Sequence, residues 1–234
     1  MALQPGFHGL WPTPLGVHRH AQAEALNPLL VRIFGALRAT QGHARGVAPG
    51  DAFFASDDDL LQRVQLPEWQ GFVRFIVESL RDTVGQANRG AWPAQGLNLR
   101  VAIEGLWFQT SNRGAFHEVH SHGNCSWSGV YCVQVDPPAA RTAHAVYGAQ
   151  NGVTRFYGPP FAQLGGAHVD LGNAYLQPPH VEVAPQPGQL VLFPSWLAHQ
   201  ALPYDGVLDR VIVSFNASVH AAQGDDRLHA YSAA

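Results

Sequence analysis

Four candidate metal ligands crowd into residues His117 to His122 of "HEVHSHGNCSWSGVYCVQV", directly before an apolar run that reads as a strand. In an extended chain alternate residues point the same way, so Glu118, His120 and His122 share one face and His117 and Val119 the other. Two histidines two apart can grip one ion, but a third ligand must come from elsewhere in the fold. The best candidate is His199 in "GQLVLFPSWLAHQALP", just past an apolar strand that Gly188 introduces. Neutral imidazole is a borderline ligand suited to Fe, Zn, Cu and Ni, so three of them define a transition-metal site without naming the metal.

A second feature lies beyond that histidine. "LDRVIVSFNAS" puts Arg210, Ile212, Ser214 and Asn216 on one face of a strand, and Arg210 is the only charged residue between Arg210 and Ala217. A lone arginine leading an uncharged strand needs a partner, and its planar fork suits a carboxylate in two-pronged fashion. If His199 and Arg210 stand on adjacent antiparallel strands, a small dicarboxylate can reach the metal with one end and Arg210 with the other.

The elements that must position these residues change character along the chain. In "AQAEALNPLLVRIFGALRA", Leu26, Leu29, Leu30, Ile33, Phe34 and Leu37 fall at helical intervals; Pro28 suits a first turn, which puts the helix start near Asn27. Ser56 with three aspartates offers a cap for a short helix over "DDDLLQRV". Pro67 opens a longer helix with Trp69, Phe72, Phe75, Ile76 and Leu80 on one stripe, which reads as core packing. From Leu97 the period becomes alternating. "NLRVAIEGLWFQT", "WSGVYCVQV", "GVTRFYG", "GQLVLFPSW" and "RVIVSFNASV" read as strands punctuated by Gly, Pro, Asn and Asp, the pattern of a sandwich, jelly roll or barrel. Long loops are expected between Asp136 and Pro187. The division is one domain over 1–234, with a mainly helical part at 1–95, the strand-rich core at 96–220 and a tail at 221–234.

Composition narrows the function classes. At 46% hydrophobic, 13% charged and net charge -3, the chain falls in the ordinary globular range, and its scattered Lys and Arg mark no face for nucleic acid or an anionic membrane. Thirteen histidines, 24 Gly and 17 Pro depart from average and suggest a metal and many turns. Cys125 and Cys132 form neither a zinc pattern nor a disulfide framework, which fits a reducing, cytoplasmic setting; the sequons at Asn124 and Asn216 are then chance. No stretch approaches a membrane span of ~20 apolar residues. His18, His20, His144, His168, His180 and His220 read as ordinary histidines rather than ligands, Phe193 and Trp196 as core filler. A homodimer is compatible with all of this.

The chain resembles the 2-oxoglutarate and Fe(II)-dependent oxygenases of the double-stranded β-helix fold, within the prolyl-hydroxylase-like group. The resemblance rests on "HSHGNCSWSGVYCV", "GQLVLFPSWLAHQ" and "DRVIVSFN", in that order, between Trp107 and Asn216. It implies an α+β, mainly β fold, a double-stranded β-helix or jelly roll with flanking N-terminal helices. It further implies Fe(II) held by His120, His122 and His199, with 2-oxoglutarate as cosubstrate and O2 as oxidant, giving succinate and CO2 as an unidentified substrate is hydroxylated. Arg210 would bind the far carboxylate of 2-oxoglutarate, helped by Ser214 and by Tyr131. Glu118, Asn124 and Trp127 are the substrate-facing candidates, and Trp107 and Trp127 could shield the site. Most members carry a carboxylate where this chain has His122, which leaves the bound ion one unit more positive unless Glu118 replaces it. A cupin-type three-histidine dioxygenase without 2-oxoglutarate, and a non-catalytic ligand-binding jelly roll, are the competing readings.

Overall fold

The computed structural model describes residues 13–46, 48, 50–92, 97–158 and 180–221. His168, the first twelve residues and the tail beyond 221 lie outside them.

Two long helices precede the strands. α1 (Ala23–Arg45) begins before the expected turn and carries Pro28 inside it. Amides of Ala25 and Leu26 already bond back to Gln22 O, so the helix is nucleated ahead of the proline, and the buried Leu26, Asn27, Leu30 and Phe34 anchor its inner face. The short α2 (Leu60–Arg63) follows an N-cap at Asp59, not Ser56. The Ser56 hydroxyl is committed elsewhere, accepting from Phe108 N–H and donating to Asp57 O, while the Asp59 carboxylate pairs with Arg63. α3 (Pro67–Ala87) buries Trp69, Phe72, Ile76 and Leu80, the stripe its spacing predicts.

The strands are β1 (Gly16–Arg19), β2 (Phe53–Ala55), β3 (Leu99–Ser111), β4 (Ala115–His120), β5 (Trp127–Gln134), β6 (Thr154–Tyr157), β7 (His180–Val183), β8 (Gln189–Pro194), β9 (His199–Tyr204) and β10 (Arg210–Ala221). A short helix, α4 (Pro138–Thr142), lies between β5 and β6. All strand pairings within the two sheets are antiparallel; the six-stranded sheet runs β1-β8-β5-β10-β3-β2 and the four-stranded sheet β4-β9-β6-β7. This is the jelly-roll arrangement expected from the strand pattern.

Alternation along the central strands divides two environments. From β10, Val211, Val213, Phe215 and Ala217 join Leu106 and Phe108 of β3, Tyr131 and Val133 of β5, and Leu190 and Leu192 of β8 in one core against α1 and α3. The intervening residues face the second sheet, where Phe156, Val191, Phe193 and Leu197 form a smaller cluster. Gly129 on β5 is required by close approach: a Cβ there would lie 2.4 Å from Phe215 Cζ and 2.9 Å from Leu192 Cδ2.

Candidate metal centre

His120 ends β4, His122 follows two residues later, and His199 opens the neighbouring β9, paired with His120 across the ladder. His122 lies past the strand, so its place is set by the loop: its N–H donates to Ser195 O at 2.9 Å, and Ser195 Oγ in turn donates to Cys125 O at 2.6 Å. These contacts tie the His122 loop to the turn between β8 and β9. The candidate ligand atoms of the three histidines lie within 4.8 Å of one another.

Two of the rings are oriented from behind. His120 Nδ1 donates to Glu118 O at 2.7 Å and His199 Nδ1 donates to Leu197 O at 2.8 Å. A carbonyl can only accept, so each Nδ1 carries the proton and each Nε2 is left with its lone pair free. Burial pushes the His199 pKa down to about 4, outweighing the bond to Leu197 O that raises it, and His120, His122 and His117 add smaller lowering effects. Burial, then His120 and His117, also lowers the pKa of His122. Neutral imidazoles converging on one point are what a metal needs, because a protonated ring cannot ligate.

Arg210, the first residue of β10, lines the same cavity of about 460 Å³ as these histidines. It does not stand beside His199 on a neighbouring strand: β9 belongs to the four-stranded sheet and β10 to the six-stranded one, so the two meet across the space between the sheets. Only 4% of Arg210 is exposed, its Nε has no hydrogen-bond partner among the described residues, and burial lowers its pKa. The nearest acid in sequence does not neutralise it, since Asp209 pairs with Arg38 and accepts from Asn112. A buried guanidinium with an unpartnered nitrogen and no described carboxylate beside it is costly, and it calls for an anion.

Residues 105–216 match the family model described as "Putative 2OG-Fe(II) oxygenase". That segment, just under half of the chain, is similar to the 2-oxoglutarate and Fe(II)-dependent oxygenases. Its fold is similar to that of AviO1 from Streptomyces viridochromogenes Tue57, at 14% identity and TM-score 0.52 over 88% of this chain and 90% of that one. It is similar as well to HygX from Streptomyces hygroscopicus with nickel and 2-oxoglutarate bound, at 10% identity and TM-score 0.52 over 88% and 82% of the two chains. A prolyl 4-hydroxylase from Phytophthora capsici aligns at 16% identity and TM-score 0.51 over 90% of this chain and 59% of that one. No curated protein is significantly similar to the chain. The donor chemistry here suits the family's cofactors: three imidazoles for iron, and a buried guanidinium for a carboxylate.

The other candidate residues divide. Ser214 shares the cavity face of β10 with Arg210 and Ile212. Tyr131 does not reach the cavity: it points to the helices, donating to Asn27 Oδ1 at 2.8 Å and packing on Phe72, because odd-numbered residues of β5 face the helical core. Trp127 is in that core for the same reason. Glu118 is exposed and outside the cavity lining, so among the described residues no carboxylate joins the three histidines. Asn124 is exposed at a positive φ of 57° in the loop after His122. Trp107 lines the cavity, with its ring 6.5 Å from that of His122. Phe193 lines the cavity too and packs on His199, while Trp196, at 55% exposed, is no core filler; the turn after β8 sends Leu197 inward in its place. His117, Gln109 and Thr154 also line the cavity. Alternation from Arg210 and its partner strand would have found Gln109, but His117 faces inward against the period.

Proposed function

We propose that His120, His122 and His199 hold Fe(II), and that Arg210, assisted by Ser214, holds the far carboxylate of 2-oxoglutarate while an unidentified substrate is hydroxylated. The observation that carries this reading is the buried Arg210, its Nε unpartnered among the described residues, facing the histidines across one cavity. Iron and 2-oxoglutarate, when bound, supply an O2-dependent oxidation that releases succinate and CO2. The chain's own work is positional: Nδ1–H bonds to Glu118 O and Leu197 O fix two ligand rings, and Phe193 and Trp107 give the cavity apolar walls that exclude water.

A direct three-histidine dioxygenase shares the neutral donor set, and an acidic substrate would then meet Arg210. Anaerobic titration with Fe(II) and then 2-oxoglutarate separates the two. The visible charge-transfer band of a chelated 2-oxo acid is expected in the parent and lost in His199→Ala through loss of metal. Iron uptake without a band would favour the direct dioxygenase.

We also place the enzyme in the cytoplasm as a single domain over residues 1–234. Two free thiols, Cys125 and Cys132, support the compartment, and helices and strands sharing one core support the domain. No helix among the described residues is long and apolar enough to cross a membrane.

A further inference from the structure

His117 lines the cavity wall beside His120, although a regular strand would put residues three apart on opposite faces. The ladder between β4 and β9 breaks register on both sides of it, between Ala115 and His117 and again between His117 and His120. Irregularities beside active sites re-aim side chains at the expense of ladder bonds. Here they turn an imidazole inward that is not part of the three-histidine group. Its ring lies 5.4 Å from that of His120 and 5.1 Å from that of Phe53, and no hydrogen bond to a described residue holds it. It lines the same cavity as Arg210.

A carboxylate offers about four lone-pair sites, and on burial each is best met by a donor. The fork of Arg210 fills two and the Ser214 hydroxyl a third, both from the six-stranded sheet. Besides the metal ligands, the four-stranded sheet contributes Thr154, Ala201 and His117 to the lining. Among these, His117 is the one the backbone departs from regularity to present. Resting on the reading that 2-oxoglutarate spans the cavity to Arg210, we propose that His117 is a second binding residue for the cosubstrate, donating an N–H to that far carboxylate from the opposite sheet.

The test uses the full chain loaded anaerobically with Fe(II), following the 2-oxoglutarate charge-transfer band and measuring bound iron separately. His117→Phe should weaken 2-oxoglutarate binding about ten-fold, roughly 1.4 kcal/mol, with iron content unchanged, and His117→Gln should recover part of the loss by restoring an N–H. Unchanged affinity in His117→Phe overturns the inference, and so does loss of iron, which would make His117 a metal ligand or a fold residue. If the parent itself gives no band, the cosubstrate reading falls and this inference with it; a normal parent titration beside an unaffected His117→Phe removes this inference alone.

Discussion

Arg210 stands against the stability of the protein that carries it. A guanidinium with 4% exposure and an orphaned Nε pays its desolvation cost whenever the cavity lacks an anion. Arg210→Met should therefore raise the melting temperature of the metal-free, ligand-free protein while weakening 2-oxoglutarate on the order of 100-fold. Calorimetry and the band titration read the two effects, and a lower melting temperature would refute the argument. His199 supplies a pH signature. Its folded pKa of about 4 lies below the ordinary 6.5, so the unfolded chain takes up a proton that the folded chain refuses. Stability of the metal-free protein is thus full above pH 6.5 and falls as the pH drops toward 4. The decline should be shallower in His199→Asn when melting temperatures are compared across that window.

At the scale of elements, the joint between α1 and β5 has its own test. Asn27 accepts from Tyr131 O–H and donates to Val133 O at 2.8 Å each, all buried. Asn27→Ala should cost roughly 2 to 4 kcal/mol by denaturant unfolding, since two buried partners lose their bond. Tyr131→Phe should cost about 1 kcal/mol and leave 2-oxoglutarate affinity at the parent value; a weakened cosubstrate would return Tyr131 to the site. The same strand shows what a sequence can disclose. Period-two patterning in β10 displays Arg210 and Ser214 on one face and a core on the other, and the structure keeps that division. The motif spacing brings His120, His122 and His199 together for the same reason. Tyr131 was misread because motif position says nothing of face, whereas parity with Val133 does. His117 was hidden because two register breaks in β4, set by pairing with a strand some eighty residues away, leave no trace in local alternation.

Across the whole molecule, the proposed ligands of the metal and of the far carboxylate belong to different layers. His120 and His199 stand in the four-stranded sheet with His122 just beyond it, and Arg210 stands in the six-stranded sheet. Metal alone should then slow amide exchange mainly in β4 and β9, and 2-oxoglutarate added with metal should extend protection to β10 and β3. Exchange mass spectrometry with a redox-inert divalent ion can read this, and no added protection in β10 would contradict a cosubstrate that bridges the layers. β10 also lies between β5 and β3, strands formed some eighty to a hundred residues earlier in the chain. Until it inserts, the six-stranded sheet is two separate pieces, β1-β8-β5 and β3-β2. On the ribosome, then, the helices and strands described before β10 emerge ahead of the piece that joins them, and Arg210 is the first residue of that piece. Closing the core and gaining the ability to hold a carboxylate become one late event of synthesis, so a nascent chain stalled short of β10 should remain a client for chaperones.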